Sequence, residues 1–97
     1  MNTTEYMAAV KGHLGIESDY ALSKALGVTK QTISRYAQGK GFFDDSVALK
    51  VASTLGIHPG LVMLDMHRER AKTPQERSVW EDIFKGFLTL LPHAKMV

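Results

Sequence analysis

Four side chains in the stretch LGVTKQTISRYAQGK, residues 26–40, are of kinds that read hydrogen-bonding edges: Lys30, Gln31, Ser34 and Arg35. Arginine and lysine donate to guanine O6 and N7, glutamine pairs with adenine N6 and N7, and serine serves several acceptors. This is a chemistry of recognition, in which no bond is made or broken. On an α-helix advancing about 100° per residue, with Lys30 at zero, Ser34 falls near ~40°, Gln31 near ~100° and Arg35 near ~140°. Thr32, Tyr36, Ile33 and Ala37 lie between ~200° and ~340° on the same wheel. The helix therefore divides into a polar face and a mostly apolar one, and Ile33, Tyr36 and Ala37 are expected to pack toward Leu22, Leu26 and Val28. Any surface helix has a polar face, but this one carries no Asp or Glu, unlike a salt-bridged solvated face.

The elements that must position this face are marked by one recurring tripeptide: LGI at 14–16, LGV at 26–28 and LGI at 55–57. Each reads as a helix end. Leu is the last inward residue, Gly takes the left-handed cap, and the following Ile or Val packs back on the final turn. Working back from these stops predicts helices over about 3–14, with Tyr6, Met7, Val10 and Leu14 on its inner side, and over about 19–26, capped by Ser18 with Asp19 in its first turn. A third helix, capped by Thr29, runs to about Gln38 and stops at Gly39. GKGFFDD is a loop in which one phenylalanine seals the core, and Asp44 or Asp45 caps a fourth helix over about 46–55. Pro59 opens a fifth, to about Ala71. TPQE at 73–76 reads as a capping box for a sixth, which continues to about Leu91, before Pro92. No segment alternates at period two, so the chain is all-α.

Length and composition suit one folded domain. The 97 residues are 44% hydrophobic and 23% charged, with no cysteine; disulfides and thiolate chemistry are excluded, and a reducing cytoplasm is the expected setting. No apolar run approaches the ~20 residues of a membrane span, and the first residues lack the pattern of a signal peptide. The net charge of +2 hides an asymmetry: Tyr20 to Phe43 holds Lys24, Lys30, Arg35 and Lys40 with no acid, whereas Gly41 to Met66 holds Lys50 against Asp44, Asp45 and Asp65. A basic patch of this kind is what a phosphate-binding surface requires. His13, His58, His67 and His93 show no metal-ligand spacing, and Asp44–Asp45 reads as a cap and not as a catalytic pair. No metal, cofactor, small-molecule ligand or enzymatic activity is expected.

Only Gly27, Val28 and Thr29 join the second and third helices, a link that holds two helices at a steep angle. DYALSKALGVTKQTISRYAQGK, followed by ALKVASTLGI, resembles the Cro/repressor-type (XRE-like) helix-turn-helix family over roughly residues 3–70. The resemblance implies a five-helix domain, residues 1–72, that binds double-stranded DNA, usually as a homodimer on a near-palindromic operator. Lys30, Gln31, Ser34 and Arg35 match the family's base-reading positions, and Thr29 and Lys40 match positions that touch phosphates. Two positions depart from the pattern: Ser23 stands where alanine is usual, and Asp19 where a glutamine often meets a phosphate. The size of the chain resembles small phage-encoded repressors.

Residues 73–97 add a helix beyond the family's five. With Val79 at zero, its apolar residues spread over about 180°, wider than the ~100° stripe of a single contact. Two readings follow. Either this helix packs deep on the first and fifth helices, or it also meets a partner, with Trp80, Phe84, Phe87 and Leu91 as the expected dimer interface. The function expected is a sequence-specific transcriptional regulator, a repressor or Cro-like protein. The alternatives are a protein-interaction module on the same scaffold, antitoxin-like or an assembly partner, and a DNA-bending excision or architectural factor.

Overall fold

Six α-helices form in chain order: α1 (Thr3–Leu14), α2 (Asp19–Leu26), α3 (Lys30–Ala37), α4 (Asp45–Leu55), α5 (Pro59–Arg70) and α6 (Pro74–Leu90). The computed structural model describes residues 1–91, and no strand occurs among them. Pro92, the expected stop of the last helix, and His93 lie outside the described residues. Among the described residues no helix is long and apolar enough to cross a membrane.

The three tripeptides end helices as read. Gly15, Gly27 and Gly56 take positive φ, and the N–H groups of Ile16, Val28 and Ile57 return to the carbonyls of Lys11, Ser23 and Ala52. Those bonds satisfy acceptors that a helix end leaves unpaired. Ile16, Val28 and Ile57 then pack on the core. At Gly27 the conformation sets the placing of α3, because its φ of 68° turns the chain out of α2. A β-carbon there would be strained and would also meet the Lys50 ammonium, which lies against this glycine.

The caps are equally local. Ser18, Thr29 and Asp44 accept from the backbone N–H three residues on, at 3.0, 3.1 and 2.9 Å. Asp44 is thus the cap of α4, and Asp45 its first residue. Thr73 caps α6 by accepting from Glu76 N at 3.1 Å. The expected box is half formed, since the Glu76 carboxylate accepts from Lys72 N at 3.3 Å instead of from Thr73 N.

The core is built from Tyr6, Val10, Leu22, Leu26, Ile33, Phe43, Val51, Val62 and Met66. Phe43 is the phenylalanine that seals it, set edge-on to Tyr36 at 5.1 Å between ring centroids; Phe42 is half-buried against the same cluster. Leu14 departs from expectation. It is 44% exposed, because the chain turns away at Gly15 and Ile16 fills the inward position. Ala37 is exposed as well, for a reason taken up below.

One polar hub ties the ends together. Asp65, 5% exposed, accepts from the Tyr6 hydroxyl at 2.5 Å and from Arg68 Nη1 at 2.8 Å, and lies 3.1 Å from the Met1 nitrogen. Burial, together with the hydrogen bond to Asp65, pushes the Tyr6 hydroxyl's pKa well above its ordinary value. Arg68 also binds Glu81 through Nε, which fastens α6 to α5. Among the described residues every buried side-chain nitrogen and oxygen has a partner.

α6 rests on α5 through aromatic contacts. The His67 ring stacks on Trp80 at 4.1 Å, the Arg68 guanidinium lies 4.2 Å from the Phe84 ring centre, and His58 meets the edge of Phe87 at 5.2 Å. Trp80, Phe84, Phe87 and Leu91, expected at a dimer interface, are half-buried. The first three spend their inner faces within the chain, because their arc is the one that fits the α5 side chains. No α6 residue is fully buried. Both edges of the apolar arc stay exposed: Val79, Ile83 and Leu90 on one side, at 52%, 44% and 78%, and Leu88 on the other, at 39%.

Candidate nucleic-acid interface

α2 and α3 pack against each other, and the small residue between them is Ser23, 4% exposed. Its hydroxyl donates to the Tyr20 carbonyl at 2.7 Å. The group that departs from alanine is therefore satisfied within its own helix and leaves the close packing intact. Asp19, the other departure, pairs with Lys11 Nζ at 3.0 Å, so part of its charge is balanced inside the chain.

α3 is held from behind by Ile33, 0% exposed, and Tyr36, 5% exposed. Burial, and next to it the charge of Asp44, raises the Tyr36 pKa above its ordinary value. Thr32 is half-buried. These three span only ~100° of the wheel, from ~200° to ~300°, so the buried arc is narrower than the sequence pattern implied. Ala37, near ~340°, consequently falls on the open side, next to Lys30.

Lys30, Gln31, Ser34 and Arg35 are all exposed on that open side. Lys30 and Gln31, in the first turn, point into solvent. Ser34 accepts a hydrogen bond from Gln38 Nε2 at 3.2 Å. Arg35 Nη2 donates to the Lys40 carbonyl at 2.9 Å, which joins the end of α3 to the loop that follows. Thr29 and Lys40 stand exposed at the two ends of the helix. The Thr29 hydroxyl works as the cap and lies 3.0 Å from Thr32 Oγ1.

More cations surround the face. Lys24 is exposed, its ammonium 5.2 Å from the centre of the exposed Tyr20 ring. Lys50 reaches from α4 to Gly27. The surface can thus offer donors to base edges from its middle and cations to phosphates from its margins. Two residues that sequence reasoning placed elsewhere share it: Ala37, assigned inward, and Gln38, taken only as the helix end. Extending the wheel by one residue puts Gln38 near ~80°, and this was the available signal.

A short capped helix, set on its predecessor by a three-residue glycine turn and open along an acid-free face, defines a DNA-binding helix-turn-helix domain. The comparisons agree. The chain belongs to the helix-turn-helix family of the Cro/repressor type: the helix-turn-helix family model matches residues 18–62. That span covers α2, α3, α4 and the start of α5. The chain is also 36% identical over 75 residues to the uncharacterized protein Gp-c of Pseudoalteromonas phage PM2, covering 72% of this chain and 80% of that protein. No solved structure matches it.

Proposed function

We propose that this protein is a sequence-specific transcriptional regulator, a repressor or Cro-like protein, that reads the major groove of duplex DNA with α3. The observation that carries the reading is the exposed, acid-free face of Lys30, Gln31, Ser34 and Arg35, backed by fully buried Ile33 and buried Tyr36. A helix held this rigidly presents its polar side chains as a unit, which base-edge recognition needs. Thr29 and Lys40 contact phosphates on either side and fix the register. The protein acts as a homodimer on a near-palindromic operator, with its two α3 helices about 34 Å apart, one turn of duplex. The exposed edge of α6, Val79, Ile83 and Leu90, supports a second copy as the partner.

The test is selection from random duplexes at about 0.15 M salt. The expected outcome is one enriched motif with two-fold character and an affinity that falls steeply as salt is raised. Equal affinity for random and selected duplexes would refute sequence-specific reading. The same α6 edge favours a second reading, a protein-interaction module on this scaffold. Co-purification of a different chain, together with indifference to DNA sequence, would favour it.

A further inference from the structure

Gln38 closes α3, and its amide does not trail into solvent. The bond from Nε2 to Ser34 Oγ draws the side chain back over the preceding turn, in the direction helical side chains lean. The backbone at Gln38, with φ −87° and ψ 0°, stays close to the helical path. On the wheel its ~80° lies between Ser34 at ~40° and Gln31 at ~100°. The open arc runs from Ala37 to Arg35, so Gln38 stands near its centre, whereas Arg35 stands at its margin with its guanidinium turned to the loop.

A carboxamide has two N–H bonds and one oxygen. When the N–H pointing away from the oxygen is given to Ser34, a donor and an acceptor remain side by side. That edge is complementary to adenine N7 and N6. Because Ser34 Oγ is the acceptor of this bond, its own hydrogen stays available to a neighbouring base or phosphate.

We infer that Gln38 is a specificity-determining residue, an adenine reader that Ser34 holds in register. The inference rests on the proposed reading of duplex DNA by α3. It adds a position that neither the sequence pattern nor the family match assigns.

Duplex selection is run on the full chain and on the variants Gln38→Ala, Gln38→Glu and Ser34→Ala, each first checked for an unchanged thermal midpoint, as exposed positions require. For the wild-type protein we expect a motif with adenine at one position of each half-site. Gln38→Ala should lose that preference by roughly 5- to 150-fold, the range for one paired contact. Gln38→Glu has no N–H to offer and should move the preference toward cytosine, whose N4 donates to a carboxylate. Ser34→Ala should blur the same position while the positions read by Lys30 and Gln31 stay sharp. An unchanged motif in Gln38→Ala overturns the inference and leaves the parent reading intact. So does an equal loss on every sequence with the salt slope unchanged, the mark of an uncharged contact to phosphate. No motif for the wild-type protein overturns both.

Discussion

Replacing Arg35 by alanine separates the base contact proposed for its guanidinium from the loop contact it makes in the structure. Arg35 lies on the open face of α3, where it can donate to guanine, and it also donates to the Lys40 carbonyl at 2.9 Å. The first job is worth about 1–3 kcal/mol of discrimination at one base pair. The second is an exposed hydrogen bond, whose net contribution to folding is under ~1 kcal/mol. That corresponds to a thermal midpoint lowered by less than about 4–8 °C in a domain of this size. Arg35→Ala should therefore weaken binding to the selected operator by roughly 5- to 150-fold. Binding to random duplex should change only by the loss of one cation, a log–log salt slope shallower by about 0.9. Lys40→Ala, which removes a cation and leaves the carbonyl in place, should weaken all sequences alike. Fluorescence anisotropy on both duplexes across a salt series, with a thermal melt of each variant, resolves the three quantities. If Arg35→Ala and Lys40→Ala gave the same sequence-independent loss, and Arg35→Ala also melted early, the guanidinium would be a strut for the loop and no reader of bases.

Other perturbations test the frame that holds this face. Asp65→Ala leaves the Tyr6 hydroxyl without its acceptor and Arg68 paired with Glu81 alone; an unsatisfied buried group costs about 1–3 kcal/mol, so the thermal midpoint should fall by roughly 4–24 °C, and an unchanged midpoint would show the hub to be dispensable. Burial, and next to it the Arg70 charge, lowers the His67 pKa below its ordinary 6.5, so folding favours the neutral ring. The unfolded chain then binds the extra proton first, and this part of the stability, complete above pH 6.5, is lost as pH falls toward the folded-state pKa; His67→Phe should flatten the thermal midpoint in that window, and an unaltered slope would refute the linkage. Ile83→Glu should shift the protein toward monomer in light scattering, weaken operator binding and leave a thermal midpoint that no longer rises with protein concentration, whereas an unchanged assembly would exclude the outer edge of α6.

The helix ends were legible because they depend on local backbone chemistry. Gly27 followed by Val28 ends α2 whatever surrounds it, and Thr29 caps α3 from its own side chain. The composition of the α3 face was legible for the same reason. Its breadth was not, because that depends on how the helix lies on the core. Only Ile33, Tyr36 and part of Thr32 are covered, so Ala37 and Gln38 join the open side. The α6 arc was left open for a related reason. A half-circle of apolar residues does not say which part of it meets α5; His67 on Trp80 and Arg68 on Phe84 decide it, and those are contacts between elements. Asp65 read as one acid among three in an acidic stretch, since nothing in its local sequence announces a tyrosine 59 residues away.

On the proposed reading, the α3 face and the Val79–Leu90 edge of α6 belong together. α3 has eight residues, a rod of about 12 Å that can follow only three or four base pairs. A target that short recurs on the order of every few hundred base pairs, and a regulator must prefer its site over far more competitors than that. Four or five contacts on one helix cannot supply the margin, whereas two copies double the base pairs read and fix the spacing between them. Along α6, Val79, Ile83, Gly86 and Leu90 follow one another at intervals of four, three and four residues, the spacing of a seam between two helices. The packing partner of α6 within the chain is α5, and neither α2 nor α3. In the proposed dimer, pairing two copies through that seam would use an edge of α6 away from α3, and its burial would give the two α3 helices together a site long enough to be specific.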